Sequence, residues 1–487
     1  MILQNIIFPM ENINEKEIYI RSFSEINQPY ESGNVLQNEE ISTDTYMNAF
    51  DIGAWKKYTN IEDLYLVWRF RGKGIIKIYW EMQHKEAVCL VEKTVENLSN
   101  RIEKTQYSIP DFSQMEAGVL YFQFQAEADS SIEAWFETKT PEAKQIKLAS
   151  IICTYQRKAQ LEQLIKVMQD INSRTLVDKE EDQMGQRDWL RTIVIDNASE
   201  LPDAYGEEIT VYHNPNTGGS GGFARGMKEV LENLTEFQAT NIVLMDDDVI
   251  LQPECILRLY ALLTYIRPEY EQEVIAGRMF RLDRPQIQYT AVEIWNRGDI
   301  RHIGWNQDMT DKNCLWNMNE NTGGEYSGWW LACFPIEFVK ENEPLPFFLH
   351  CDDVEYGLRH GGTPIILNGI HVWHETHEYR NVPVMAYYDY RNSLIVNAIY
   401  GITERDRDAQ WKRFIHKITK AHNKEDYLLE YFLIQAFHDY QRGMKWFMKK
   451  DDERIHASLM RKKKVCRYGN SVRWRIVFLR EKRRKNG

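Results

Sequence analysis

The sequence predicts an α/β domain on a mostly parallel sheet, preceded by a β-sandwich domain and followed by a helical region with a basic tail. Three observations carry that reading. Residues 146–403 alternate short apolar runs with helix-period segments, the pattern of βαβ units. Residues 1–145 hold short alternating or β-branched runs separated by turn-like stretches. In residues 404–487, Tyr427, Leu428, Tyr431, Phe432, Ile434, Gln435 and Phe437 recur at helical spacing. A chain of 487 residues has room for these units.

In order along the first region, strands are expected at Ile18–Ile20, Leu64–Phe70, Gly74–Trp80, Val88–Val95, Gly118–Gln125 and Ser131–Phe136, with turns at 27–29 and 71–73. At Lys147 the pattern changes. Leu148–Cys153 is an apolar strand, and Leu161, Leu164, Ile165, Val167 and Met168 mark a helix after it. Arg191–Ile195 is the next strand, and a glycine-rich segment then opens a helix around Phe223–Leu234. Ile242–Met245 is a further strand, followed by a helix near Pro253–Tyr265. Sheets of this kind bind ligands at the carboxyl ends of their strands, where the polar residues of interest fall. There is no internal repeat and no low-complexity linker.

The hydrophobic fraction of 43% is ordinary for a globular chain, so each unit can bury a core. Aromatics reach 12%, which suits either sugar stacking or plain core filling. Net charge is −12 but uneven: residues 461–487 carry twelve Lys/Arg against the one acid Glu481. An acidic body disfavours nucleic acid. The basic tail, interleaved with Val472, Trp474, Ile476, Val477, Phe478 and Leu479, suits an anionic membrane surface, with a solvated or oligomer-forming segment as the other reading. Seven scattered Cys without a CxxC pair argue against a disulfide framework or zinc knuckle and fit a reducing compartment. Residues 1–15 lack the signal-peptide pattern, and no run approaches the ~18 apolar residues that span a bilayer. The expectation is a soluble or peripheral protein.

The strongest chemical signal is Asn241-Ile-Val-Leu-Met-Asp246-Asp247-Asp248-Val249, a buried strand ending in carboxylates. In extended chain Asp246 and Asp248 point to one side, and two hard oxygen donors suit Mg²⁺ or Mn²⁺, which also binds a diphosphate. Cys153-Thr154-Tyr155-Gln156-Arg157 ends the first strand, and a polar turn with Arg there can hold a nucleotide base and phosphate; an ordinary helix start is the competing reading. Asp196-Asn197-Ala198-Ser199 ends the next strand and offers a uracil or ribose edge its partners, or a helix cap. Asn216-Thr-Gly218-Gly219-Ser220-Gly221-Gly222 precedes a helix and lets backbone approach an anionic ligand, though it is neither a Walker loop nor a good GxGxxG fingerprint. In Tyr326-Ser-Gly328-Trp329-Trp330 one Trp is expected in the core and the other as an acceptor platform. In His350-Cys-Asp352-Asp353-Val-Glu355, Asp352 is expected to cap a helix while Asp353 acts as general base. His371, His374 and His377 invite a zinc reading, but without HExxH or Cys the better expectation is that one His completes the Asp246/Asp248 site.

Together these motifs resemble glycosyltransferases of the GT-A fold, family 2, in which residues 154–157, 196–199, Asn216 with its glycines, and Asp246–Asp248 match in order and spacing. The chain is more specifically similar to bacterial galactofuranosyltransferases that build cell-wall galactan. That closer likeness rests on the 216–226 loop, Gly-Trp-Trp at 328–330, Asp-Asp-x-Glu-Tyr-Gly-Leu-Arg at 352–359, Trp-His at 373–374 and Tyr-x-x-Arg-Asn at 388–392. Ile7-Phe8-Pro9 and Thr45-Tyr46-Met47-Asn48-Ala49-Phe50, with Trp55, extend it into the first domain. Gln156 stands where the family usually has Asn, and Asn197 where the galactan enzymes tend to carry Gln.

The resemblance implies a Rossmann-like GT-A nucleotide-sugar domain and an inverting, metal-dependent transfer from UDP-galactofuranose. Thr154, Arg157, Asn197, Asn216 and Asp246 would serve the UDP-sugar. Asp246, Asp248 and His374 would hold Mn²⁺ or Mg²⁺, Asp353 would be the base, and Trp329, Trp330 and Asp352 would line the acceptor site. The acceptor implied is a glycan, lipid-linked at the cytoplasmic face of the membrane. A different donor (a UDP-pyranose or dTDP-rhamnose) and a non-catalytic glycan-binding protein are the competing readings. Homo-oligomer formation and the role of the first domain stay open.

Overall fold

The structure, a computed structural model, describes residues 1–475 apart from 11–12, 14, 23–32, 100–102, 143, 175–187, 377–382, 403–406 and 474. The expected turn at 27–29, His377, Trp474 and the tail beyond residue 475 lie outside the described residues.

In the first domain two strands dominate, β1 (Tyr65–Glu81) and β2 (Val119–Glu137), 17 and 19 residues long and paired antiparallel throughout. Each joins two runs that the sequence suggested were separate strands. The expected turn at 71–73 is a register irregularity in the β1/β2 ladder, and Gly72 sits there at φ 132°. A Cβ at Gly72 would lie 2.1 Å from Ser130 Oγ, so only glycine passes. Through β1 and β2, nine strands among the described residues of the domain share one hydrogen-bonded sheet. Residues 17–19 form a turn in place of the strand expected at Ile18–Ile20, and Glu103–Ser108 is a strand the sequence reading missed.

The second domain follows its predicted order closely. Strands β3 (Leu148–Thr154), β4 (Leu190–Asp196), β5 (Ile209–His213) and β6 (Asn241–Asp246) form a parallel sheet in the order β5-β4-β3-β6. The register sets Thr154 beside Asp196 and Cys153 beside Asp246, so three strands end in polar residues on one line. Helix α1 (Lys158–Ser173) connects β3 to β4, α2 (Gly218–Glu232) connects β5 to β6, and α3 (Pro253–Tyr265) follows β6. Strand β9 (Leu331–Pro335), antiparallel to β6, and β7 (Ile275–Ala276), antiparallel to β9, complete the six-stranded sheet.

A separate five-stranded sheet contains β8 (Arg278–Arg281) and β10 (His371–His374), which are parallel. On its other edge β10 pairs with Ile250–Leu251, four residues beyond Asp246, matching Ile250 to Trp373. That pairing draws His374 to the end of β6. Between these elements lies α4 (Asp352–His360).

Helix α5 (Met385–Ile399) follows, then α6 (Arg407–Asn423) and α7 (Tyr427–Tyr440). Tyr387, Tyr388 and Leu394 of α5 share a buried cluster with Phe414, Tyr431 and Phe437, so α5 packs with the later helices. The part of the basic tail that is described folds back on α7: Asn470 donates to the Tyr427 carbonyl at 2.7 Å, and the Arg473 guanidinium stacks 4.3 Å from the Tyr431 ring.

The first and second domains share a core as well as a surface. One buried cluster includes Leu66, Phe122 and Phe136 with Met245, Leu259 and Met279. A buried polar network crosses between them. Asn368 donates to the carbonyls of Tyr46 (2.9 Å) and Ala49 (3.0 Å) and accepts from Asn319, which also donates to Asp51 (2.9 Å). Arg258, fully buried, donates to the Met47 carbonyl and to Glu254, whose carboxylate in turn accepts from Asn5. The Tyr46–Asn48 stretch thus serves as a socket for the α/β domain. Asn368→Ala leaves two buried carbonyls without their donor and is expected to lower stability by about 1–3 kcal/mol, read by thermal or urea denaturation.

Candidate active site

Strand β6 ends at Asp246, and the chain then turns through Asp247 and Asp248. Asp246, Asp248 and His374 converge, with one ligand atom from each lying within 4.8 Å of the others. His374 Nε2 is 3.0 Å from Asp248 Oδ1 and 3.6 Å from Asp246 Oδ2. His374 is buried, while Asp246 is open to solvent, so the cluster has a closed back and an accessible front. Two carboxylates and an imidazole are donors suited to Mg²⁺ or Mn²⁺, and the open side leaves room for a diphosphate. Among the described residues, His371 does not join. His371 packs against Tyr46 and Trp373, and burial pushes its pKa down to about 3, so it is a neutral core residue.

Asp247, not singled out from the sequence, is the buried member of the triad of acids. Burial raises its pKa, against bonds that favour the carboxylate: Thr154 Oγ1 donates to it at 2.6 Å and Arg157 Nη1 at 3.0 Å. The same Arg157 nitrogen is 2.8 Å from Asp248 Oδ2. Thr154 and Arg157 therefore brace the acidic turn from behind rather than presenting both side chains to a nucleotide. Their Asp partners explain why a Thr and an Arg stand at the end of β3.

Asn197 is likewise spent inside the protein. Its amide donates to the Gly218 carbonyl at 3.0 Å, and its oxygen accepts from Asn214 at 2.7 Å. Asn216 accepts from the Gly218 amide at 3.1 Å. These asparagines shape the start of α2. The glycine run is not a loop ahead of the helix but its first turns, from Gly218. A Cβ on Gly222 would lie 2.1 Å from Cys153 Sγ, and one on Gly226 would lie 2.3 Å from Ile151, so these two bring α2 onto β3. Gly219 meets only Asp352 Oδ2, at 3.8 Å, and faces the carboxylates of α4.

Helix α4 begins at Asp352, with Cys351 at the cap position in the left-handed region and no side-chain cap bond. The expectation that Asp352 caps the helix is thus corrected. Phe348 and His350 are also left-handed, a costly backbone for non-glycine residues that persists where the surroundings impose it. They do so here. Arg391 donates to the Phe347 carbonyl at 2.9 Å, and Asn392 donates to those of Leu349 (2.6 Å) and His350 (2.9 Å). His350 pairs with Asp389 on α5. The Arg-Asn of 391–392 is therefore a clamp on the loop that presents Asp352 and Asp353. Burial, and then the neighbouring charges of Asp352 and Glu293, push the Asp353 carboxyl well above the usual range. Glu293 was also unanticipated from the sequence.

Trp329 and Trp330 are both buried, Trp329 between Phe223 and Tyr356 and Trp330 with its indole N–H donating to the Gly277 carbonyl at 2.8 Å. Neither ring offers the exposed platform expected of one of them; the pair closes the core where β9 begins.

A parallel sheet whose strand ends gather an acidic triplet, a histidine and a second pair of carboxylates is the architecture of a nucleotide-sugar transferase. Comparison with known proteins agrees. Residues 3–138 match the family model Galactofuranosyltransferase 2 N-terminal, and residues 147–384 match Glycosyltransferase like family 2. The galactofuranosyltransferase GlfT2 of Mycobacterium tuberculosis is 26% identical over 391 residues, 74% of this chain and 58% of that protein. GlfT2 of Mycolicibacterium smegmatis is 23% identical over 383 residues, again 74% and 58%. The chain spans 58% of the length of these curated relatives. Residues 147–384 thus carry a glycosyltransferase domain of the family 2 type, and the chain resembles galactofuranosyl-transferring enzymes.

The ligand cluster makes a direct prediction. Titration with Mn²⁺, followed by calorimetry or electron paramagnetic resonance, is expected to show one site, and His374→Ala is expected to weaken it by at least about ten-fold. Gly222→Ala is expected to cost about 1–3 kcal/mol in thermal stability by forcing α2 off Cys153.

Proposed function

We propose that the protein transfers galactofuranose from UDP-galactofuranose to a glycan acceptor with inversion at the anomeric carbon. The observation that carries this reading is the meeting of Asp246, Asp248 and His374 from two different sheets, in a chain whose two family matches cover both of its first domains. Mn²⁺ or Mg²⁺ bound by those three residues would supply charge neutralisation for the departing diphosphate. Arg157 keeps the acidic turn compact, and the amides at the start of α2 favour an anionic ligand. Asn197 and Asn216 serve the donor through the shape they give that helix start.

Asp353 takes the proton from the acceptor hydroxyl, whose oxygen attacks the anomeric carbon as UDP leaves from the opposite face. A single carboxylate base suffices for inversion. Its raised pKa makes it a stronger base once ionised. Asp352, beside it and facing Gly219, positions the acceptor.

The acceptor is lipid-linked and met at the inner surface of the membrane. No helix among the described residues is long and apolar enough to cross one. Exposed Tyr468 and Val472 among the cations of the tail support a peripheral contact with anionic lipid.

Asp353→Asn is expected to lower kcat by about 10²–10⁴ while leaving UDP affinity unchanged. Because the base must be ionised and its pKa is raised, the wild-type rate should climb with pH above the ordinary carboxylate range and then level. Loss of that limb in the variant's residual activity is the check; full turnover by Asp353→Asn would remove it from the mechanism. Turnover with Mn²⁺ should prefer UDP-galactofuranose over UDP-galactopyranose, UDP-glucose and dTDP-rhamnose and vanish with chelator; preference for another donor would overturn the sugar assignment.

A further inference from the structure

The stretch that presents the carboxylates of α4, residues 345–350, has no helix or strand of its own, and side chains meet its carbonyls. Ser220 on α2 donates to that of Leu345 at 2.5 Å, while Arg391 and Asn392 on α5 serve Phe347, Leu349 and His350. The carbonyl of Pro346 accepts from much farther along the chain, from Lys450 Nζ.

Lys450 lies between two short helices, α8 (Met444–Phe447) and α9 (Asp452–Met460). This segment touches three consecutive loop residues. Besides the bond to Pro346, the Phe347 ring packs on that of Phe447 at 5.2 Å, and the Phe348 ring on that of His456 at 5.4 Å.

The Lys450 side chain is fully shielded from solvent, an expensive place for a charge. Burial pushes its pKa down to about 8, against the pull of Asp452. Asp452 Oδ2 is 2.9 Å from Lys450 Nζ, and Asp452 Oδ1 is 3.7 Å from Arg391 Nη1. One carboxylate thus joins the two cations that hold the adjacent carbonyls of Pro346 and Phe347. Helix capping does not account for it, because the neighbouring Asp451 caps α9 by accepting from the Arg454 amide at 2.9 Å. Stability does not account for it either, since apolar residues of similar volume in place of a buried ion pair are often neutral or stabilising. What the pair adds is a donor fixed on one carbonyl of the loop.

We propose that Lys450 and Asp452 are positioning residues for Asp353: their buried pair latches the Pro346–Phe347 stretch and so fixes the loop from which α4 starts. The C-terminal helices are then part of the acceptor half of the site. The proposal rests on the reading of Asp353 as the base.

The test compares the full chain with Lys450→Met/Asp452→Asn, which removes both charges and leaves the net charge of the cluster unchanged. A thermal melt confirms folding, calorimetry gives UDP affinity, and turnover of UDP-galactofuranose on a synthetic glycan acceptor is followed against pH. The expected result is a kcat lower by about ten- to a hundred-fold with UDP affinity and donor KM kept. Burial is the largest cause of the raised Asp353 pKa, and Asp352, Glu293 and His350 are the titratable groups around it. A released loop admits water, so the rising limb of the rate moves to lower pH. Hydrogen exchange of the amides of 347–353 is expected to speed up by about ten-fold or more. If the double variant does not fold, Asp452→Asn alone carries the test with the same signs. An unchanged kcat, an unmoved limb or unchanged exchange in a folded variant overturns the proposal, as does a loss of kcat that UDP affinity shares in equal measure. Absence of turnover in the wild-type protein would instead count against the transferase reading, and the exchange measurement would still decide on the latch.

Discussion

The pairing of Ile250–Leu251 with β10 is the constraint on which the site depends. Asp246 and Asp248 come from the end of a parallel strand, but His374 arrives more than a hundred residues later and belongs to another sheet. Only because the chain after Asp248 becomes an edge strand for β10 do the two sheets meet there. The main-chain bonds of that short ladder, together with the pairing of β10 to β8, set the position of the strand that carries the imidazole. Arg157 completes the arrangement from the opposite side, since three adjacent acids would otherwise repel one another.

The base is built on a different principle. Asp353 stands at the start of a helix reached through left-handed residues, and that conformation is imposed from outside by Arg391 and Asn392. Helix α5 thereby couples the C-terminal helices to the chemistry: its Arg391, Asn392 and Asp389 all grip the loop. The metal cluster answers to the sheets and the base to the helices, so each half of the reaction has its own support.

Much of this was legible in the sequence. The strands ending at Thr154, Asp196 and Asp246 could be read because long apolar runs bounded by polar residues leave little ambiguity, and the acidic triplet at the end of one of them pointed to a cation site. The convergence of His374 followed from the family likeness, not from spacing. Less visible were side chains whose partners are distant. Nothing local tells that Thr154 and Arg157 bond to Asp247, or that Asn197 is held by Gly218 and Asn214, because those bonds depend on register between strands and on the approach of α2. The glycines misled in a related way: Gly222 and Gly226, four apart, are a helix face against a strand, a reading that needs the strand's position. The long strand β1 was split in two because the glycine at 72 reads as a turn and acts as a bulge.

The continuous core between the first domain and the α/β domain bears on how the molecule comes apart. Phe122 and Met245 belong to one buried cluster, and Arg258 satisfies a carbonyl of the first domain from within the second. Neither domain can open without exposing apolar surface and stranding polar groups of the other. The two therefore melt as one cooperative unit, and removing the first domain would not release a smaller catalyst but would take away part of the wall on which His371, and through it the strand of His374, is seated.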